Sequence, residues 1–289
     1  MIRTISIFAF LLVFLVSFTT SEDKKLTLEN ALKTNMMMAS VRGLGGYQGF
    51  CVEISATNTT DHDTTFWVEP GRRFESADTN VQDILLVKEI PLYVKAGQTV
   101  KVPLYGFCCQ ATCGAPKTDE VFSNGKMADS NLVRLARFLA KNTYDDDVMQ
   151  HAVWIVSNGH SISSITASTS EQRKDIRPLQ TFLSAMLNLK EKFPWYSLSY
   201  KQDSTRLFSG QADSLFGDID FEIWENALVK VIINDDKGKV IQRLMVNKPY
   251  NPGKYSLEVK LDVATWKKGK YFVRLYSDDQ KKQEKVFEL

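Results

Sequence analysis

"VKVIINDDKGKVIQRL", residues 229–244, reads as two strands joined by a tight turn. Val229, Val231 and Ile233 recur at every second position, the spacing that places side chains on one face of a strand. Asp235, Asp236, Lys237 and Gly238 supply turn chemistry, and Val240, Gln242 and Leu244 resume the period of two. Downstream, "PGKYSLEVKLDV" at 252–263 and "KGKYFVRLYSDD" at 268–279 add two further strands, each opened by Gly-Lys-Tyr. Some seven short strands in about 85 residues is the layout of an Ig-like β-sandwich.

Upstream the same rhythm returns with more punctuation. In "YQGFCVEISATN", residues 47–58, Phe50, Val52, Ile54 and Ala56 alternate with Cys51, Glu53 and Ser55. The polar cluster from Asn58 to Asp63 then makes a turn. "TTFWVEPGRRF" (64–74), "DILLVKEIPLYV" (83–94) and "AGQTVKVPLYGF" (96–107) continue as strands broken by Gly and Pro. Pro103 carries no N–H for a ladder, which places it at a sheet edge. "RGLGGYQG", residues 42–49, has glycines but leads into a strand and not a helix. It therefore reads as a flexible entry to the first strand, not a phosphate loop.

Beyond residue 128 the period lengthens. "DSNLVRLARFLAKN" (129–142) spaces Leu132, Leu135, Ala136 and Leu139 for one helix face, with Asp129 or Ser130 as N-cap. "YDDDVMQHAVWIVSNG" (144–159) is a second helix: three aspartates suit its positive end and Asn158-Gly159 stops it. A third runs over 177–192, and the serine- and threonine-rich 161–170 is a loop. The predicted fold class is a β-rich α+β chain. An N-terminal β-sandwich with a helical lobe fills 22–200, and an Ig-like β-sandwich fills 201–289.

Residues 1–21 read as a secretory signal peptide. A basic Arg3 precedes a run from Ile5 to Phe18 that is apolar apart from Ser6 and Ser17, and small residues then give way to Glu22-Asp23-Lys24-Lys25. That run is shorter than the roughly 20 residues a bilayer demands, and no later stretch is apolar enough for a span. The mature protein is thus expected to be secreted or held at the cell surface, with the periplasm as a further compartment. A net charge of +2 from 36 basic and 34 acidic residues gives no electrostatic case for nucleic acid.

Two family resemblances bear on function. "VKVIINDDKGKVI", "NPGKYSLEVKLDVATWKKGKYFVRL" and the final "KVFEL" resemble the Ig-like sorting domain of proteins exported by the bacterial type IX secretion system. The element Lys268-Gly269-Lys270-Tyr271-Phe272-Val273-Arg274-Leu275 matches the last strand of that pattern. The start departs from it, with "LFSGQADS" (207–214) where Tyr-Pro-Asn-Pro is usual. This resemblance implies the secretion machinery as a partner. "MQHAVWIV" at 149–156 resembles the glutamine block of bacterial surface thioester adhesins, Gln-x-Ala-apolar-Trp. Their upstream aromatic-Cys segment has its counterpart in "YGFCCQ" (105–110) or "GFCVE" (49–53), which implies Cys108 and Gln150 as the thioester pair.

Cysteine usage leaves the chemistry open. Four cysteines in an exported chain point to two disulfides among Cys51, Cys108, Cys109 and Cys113, each contributing about 2–4 kcal/mol. Adjacent Cys108 and Cys109 would face opposite sides of a strand and so not pair with each other. A thioester instead needs a cysteine held against a glutamine amide in a dry pocket, with Phe107, Phe138 and Trp154 as candidate walls. Metal is not indicated: Cys-Cys-x-x-x-Cys lacks zinc-ribbon spacing, His62, His151 and His160 are far apart in sequence, and Met36-Met37-Met38 reads as a helix face packed into the core. No cofactor motif occurs. Asn158-Gly159-His160-Ser161 sets a His beside a Ser without a nucleophile elbow, and Asp145-Asp146-Asp147 lacks calcium-loop spacing. The leading expectation is a non-enzymatic surface binding or adhesion protein for an unknown extracellular ligand, with Tyr47 and Trp67 as candidate contacts. A covalent adhesin and a secreted hydrolase with unidentified catalytic residues are the alternatives.

Overall fold

The computed structural model describes residues 25–189, 193–201 and 207–289, so the expected signal segment lies outside the described residues. After a short helix α1 (Leu28–Lys33), nine strands follow: β1 (Met37–Leu44), β2 (Gln48–Asn58), β3 (Thr64–Val68), β4 (Arg72–Phe74), β5 (Ile84–Leu86), β6 (Ile90–Val94), β7 (Thr99–Cys108), β8 (Thr118–Phe122) and β9 (Lys126–Met127). Seven of them form one sheet in the order β8-β1-β2-β7-β5-β4-β9, and β3 pairs with β6 as a separate ribbon. Val52, Ile54, Phe66, Val68, Leu92 and Leu104 fill the core between sheet and ribbon. The expected N-terminal sandwich therefore forms.

The opposite face of the large sheet is covered by helices α2 (Ser130–Ala140), α3 (Asp146–Asn158) and α5 (Arg177–Met186), with the short α4 (Ser170–Asp175) leading into α5. Tyr105, Phe107 and Cys109 point into this second core, while Leu104 and Cys108 point into the first. A strand covered on both sides reads as an unbroken apolar run, and residues 104–108 are all buried. Gly106 is required there, because an added Cβ would stand 2.5 Å from Ile84 Cγ2 and 2.9 Å from Leu85 O on β5. The β5 ladder reaches only Gly106 to Cys108, so Pro103 sits on a stretch of β7 paired with β2 alone.

Local chemistry explains the helix limits. The Asp129 side chain accepts from the N–H groups of Asn131 and Leu132, and a left-handed Gly159 (φ 70°) closes α3. Thr169 and Gln172 form a capping box at α4. Helix α5 ends at Met186, short of the expected 192, and residues 190–192 fall outside the description.

Two N-terminal expectations need correction. Met36-Met37-Met38 is not a helix face: Met37 opens β1 with its side chain buried and Met38 faces solvent, the alternation of a strand. "RGLGGYQG" is no loose entry either. Arg42 to Leu44 already pair in β1, and Gly45 and Gly46 (φ 91° and 83°) turn the chain into β2. Two consecutive positive φ values are what a tight hairpin needs and what glycine alone adopts without strain.

Seven strands make up the C-terminal part: β10 (Tyr196–Tyr200), β11 (Ala212–Ile223), β12 (Ala227–Asp235), β13 (Val240–Tyr250), β14 (Gly253–Asp262), β15 (Lys270–Ser277) and β16 (Gln280–Glu288). They form two sheets, β10-β11-β14 and β13-β12-β15-β16, which enclose Leu215, Ile219, Val229, Val231, Ile233, Val259, Val273 and Phe287. The hairpin at 229–244 forms as expected, and its first strand buries Val229, Val231 and Ile233 completely. Its second strand does not continue the inward alternation. β13 is the sheet edge, its register on β12 shifts three times, and Val246 is exposed.

Arg173 on α4 locks this sandwich to the helical lobe. Its guanidinium makes a paired contact with Asp218 on β11, Nε and one terminal nitrogen each 2.7 Å from a carboxylate oxygen, and also donates to Ala167 O at 3.1 Å. Ser170 Oγ donates to the same carboxylate at 2.7 Å. Arg173, foremost, holds the Asp218 carboxyl below its ordinary 3.8, against the opposing effect of burial. Replacing Arg173 with Met strands a largely buried carboxylate and is expected to cost about 3 kcal/mol in urea unfolding at neutral pH. A depressed folded pKa gives stability that is complete above the ordinary carboxylate range and lost as pH falls through the lower folded value. The difference between wild type and R173M should therefore shrink in acid below pH of about 3.9.

Candidate functional site

The end of β7 and the inner face of α3 meet at one residue. Cys108 is the last residue of β7, and its backbone is matched by the Gln150 side chain: Gln150 Oε1 accepts from Cys108 N–H at 3.1 Å and Gln150 Nε2 donates to Cys108 C=O at 2.8 Å. The same N–H also reaches the carbonyl of Tyr47 at 3.0 Å. A carboxamide bonded to both backbone groups of one residue must lie against it, and both residues are buried, at 0% and 1% exposure. The two residues expected from the thioester resemblance, 42 positions apart, are thus brought together by the fold.

Gln150 is one of three residues spaced by four along α3, which the helix places on one face. Trp154 Nε1 donates to Gln82 Oε1 at 3.5 Å, and Asn158 Oδ1 accepts from Ala111 N–H at 3.2 Å. Gln82 in turn accepts from Gln110 N–H at 3.0 Å and donates to Cys113 C=O at 3.0 Å. The Gln110 side chain accepts from Asp83 N–H at 2.6 Å and donates to the Asp83 carboxylate at 2.8 Å; Arg73 Nε grips that carboxylate, also at 2.8 Å. The segment following Cys108 leaves the sheet, so side-chain amides supply the partners that a ladder no longer gives. Gln82 and Gln110 were not picked out in the sequence, and Asn158 was read only as a helix stop, although a glutamine embedded in "VQDILL" is a legible warning of a buried polar bond.

The first turn of α3 is pinned too. Tyr105 Oη donates to Asp146, and Gln48 Nε2 donates to Asp147 Oδ1 at 2.9 Å. Asp145, the N-cap, makes no side-chain capping bond. The aspartate run thus serves as cross-links from helix to sheet as well as a charge at a helix start.

Burial governs the electrostatics. It pushes the Cys108 thiol well above the ordinary range, with the nearby Cys51, Cys109 and Asp83 adding to the shift. Cys51 and Cys109 are each raised to about 12 by burial. These thiols stay protonated, so chemistry at Cys108 depends on contact with its target and not on a standing thiolate. Burial also lowers His151 to about 4 and depresses His160, which keeps both neutral. Their rings cluster with Trp154 and with Tyr200 and Phe208, and His160 stacks on Phe208 at 4.2 Å. Tyr47 lies half-buried and parallel to Trp154 at 6.4 Å.

Other expected site residues go elsewhere. The disulfides expected of Cys51, Cys108, Cys109 and Cys113 are not formed; all four are free thiols. Cys51 Sγ points to Gly106 O at 3.6 Å, Cys108 and Cys109 occupy different cores as their adjacency requires, and half-buried Cys113 faces Thr79 O at 3.9 Å. Trp154 and Phe107 are buried as expected, but Phe138 packs on Phe182 and Tyr144 at the far side of the helices. Trp67 lies on the ribbon beneath Lys25 Nζ. Ser161 Oγ bonds Ser163 Oγ at 2.8 Å and not its neighbour His160. Among the described residues no group of three His, Cys, Asp or Glu is placed to hold a metal ion. Between the helical lobe and the C-terminal sandwich lies a cavity of about 390 Å³ lined by His160, Tyr200, Phe208 and Trp266.

The β-strands from β11 to β16 supply the deciding comparison. Residues 216–287 match the secretion system C-terminal sorting domain. The protein is accordingly secreted or displayed at the cell surface, and the sorting domain implies contact with the secretion machinery. No curated protein matches the chain. Among solved structures, a selenomethionine-labelled β-glucosidase from Kluyveromyces marxianus is similar at 13% identity over 82% of this chain and 44% of its own, with a TM-score of 0.20. The chain thus spans less than half of that protein. No helix among the described residues is long and apolar enough to cross a membrane.

Two measurements check this site. Gln150→Leu leaves the Cys108 carbonyl without its partner and is expected to cost about 1–3 kcal/mol by denaturant titration. The unfolded chain binds a proton at His151 between pH 6.5 and about 4 that the folded chain refuses, so stability is complete above that window and falls as pH drops through it. Thermal melts across this range should show the fall, and His151→Phe should flatten it.

Proposed function

We propose that the N-terminal part is a surface adhesion module that acts covalently through an internal thioester between Cys108 and Gln150. One observation carries this reading: the buried Gln150 carboxamide is bonded to both backbone groups of Cys108. In thioester formation the Cys108 sulfur adds to the Gln150 amide carbon, a C–S bond replaces the C–N bond, and the amide nitrogen leaves as ammonia with the thiol proton. Negative charge develops on Gln150 Oε1, which already accepts from the Cys108 N–H, the arrangement that stabilises an acyl intermediate. These bonds hold the amide against the Cys108 backbone, while the thiol packs in the sandwich core; once the sulfur turns toward the amide carbon, proximity replaces the activation that a low thiol pKa would otherwise supply. Burial then protects the acyl group from water until an amine on a target displaces the sulfur. Tyr47 and Trp154, stacked beside the pair, support this by closing it from solvent.

The same contact also suits a purely structural clamp in a non-covalent binding protein. Intact mass of the unreduced exported protein separates the two. A thioester leaves the chain lighter by one ammonia, methylamine adds in full to give an N-methyl amide one CH2 heavier than the unmodified chain, and Cys108→Ser or Gln150→Ala abolishes both effects. A mass short only of four hydrogens, with no methylamine uptake, identifies two disulfides and sinks the covalent reading. A full mass with thiols open to alkylation after unfolding leaves only the clamp.

A further inference from the structure

We propose that Gln48 orients the nucleophile that opens the Cys108–Gln150 bond, an inference that rests on the thioester reading above. Gln48 opens β2 directly opposite Phe107, and the residue before it, Tyr47, accepts the Cys108 N–H. Its side chain turns toward the first turn of α3, where Nε2 donates to Asp147 Oδ1 at 2.9 Å. A carboxylate oxygen can only accept, so this bond fixes which end of the amide faces Asp147. The other end, Gln48 Oε1, is buried and has no hydrogen-bond partner among the described residues. Asp147 and Gln150 are three apart on one helix and so share a face. The unpartnered acceptor is therefore held on the helix face that carries the acyl carbon.

Position in depth fits as well. Cys108 and Gln150 are buried, whereas Gln48 and Tyr47 are half-buried. A primary amine offers two N–H donors and one lone pair. With one N–H held by Oε1, its lone pair is free to attack the Gln150 acyl carbon. The new C–N bond forms as the C–S bond breaks, and the second amine proton passes to the Cys108 sulfur, which returns to its thiol. Gln48 gains no proton in this step, since an amide oxygen is not a base at neutral pH. A sulfur buried as deeply as Cys108 leaves well only when protonated, so fixing the amine where it can hand over that proton speeds opening.

The test uses the full chain with methylamine as the probe, following its uptake by intact mass. Gln48→Met removes both donor and acceptor, and Gln48→Glu keeps an acceptor while giving up the bond to Asp147. The ammonia deficit should persist in all three proteins, which also reports that each is folded. Methylamine uptake should then slow about tenfold in Q48M, within the range a positioned polar group contributes. Q48E should react faster than Q48M, and its advantage should fade as pH falls through the carboxylate range. A role confined to bracing α3 would leave Q48E as slow as Q48M. Uptake by Q48M at the wild-type rate with the deficit intact overturns the role of Gln48 alone. Absence of the deficit in wild type overturns it together with the thioester.

Discussion

A strand buried on both faces must find partners for its backbone at the point where the sheet ends, and that constraint shapes the N-terminal half. β7 runs between a sandwich core and a helical core, then leaves the sheet at Cys108 still buried. An unpaired peptide group there would cost on the order of a lost hydrogen bond plus its desolvation. Three residues on one face of α3 answer it, with Gln150 on Cys108, Trp154 on Gln82 and Asn158 on Ala111. Helix and cysteine segment are consequently placed by the same set of bonds. Whatever fixes α3, including Tyr105 and Gln48 at its first turn, also fixes the distance between the cysteine and the glutamine.

The dryness that makes these bonds strong also sets the chemistry. Thiols so deeply buried resist ionisation, and histidines so buried resist protonation. A mechanism that depends on a thiolate or an imidazole base is poorly served here. One that depends on contact and exclusion of water is well served, because an acyl–sulfur bond survives only where water is scarce. The same burial ties the halves of the molecule together, since the neutral His151 and His160 accept Phe208 and Tyr200 against their rings while Arg173 anchors Asp218. Tyr200 and Phe208, which lead into the sorting domain, thus pack against the face of α3 that carries His151, beside the one that carries Gln150.

Much of this was open to sequence reading, and for identifiable reasons. Period-two spacing in "VKVIINDDKGKVIQRL" fixed a hairpin because strand geometry leaves the alternating residues no other way to share a face. Period 3.6 with Asp129 and Gly159 as stops fixed α2 and α3, because caps and left-handed glycines act within a few residues. Failures occurred where local signals were equivocal. Met36-Met37-Met38 has no period of its own, and the Gly45-Gly46 turn became a hairpin only because β1 existed to pair with β2.

By itself, then, the sequence determined most of the elements, the opposite facing of Cys108 and Cys109, the export of the chain and its sorting domain, all of which rest on short-range chemistry or on contiguous motifs. Only the tertiary structure decided what meets what. It placed Gln150 on Cys108 across 42 residues, sent Phe138 away from them, recruited Gln48, Gln82, Gln110 and Asn158, and left all four thiols free. Side-chain amides carry no periodic signal, since their role is set by which backbone groups the packed sheets leave unpaired. That can be known only once the sheets are packed.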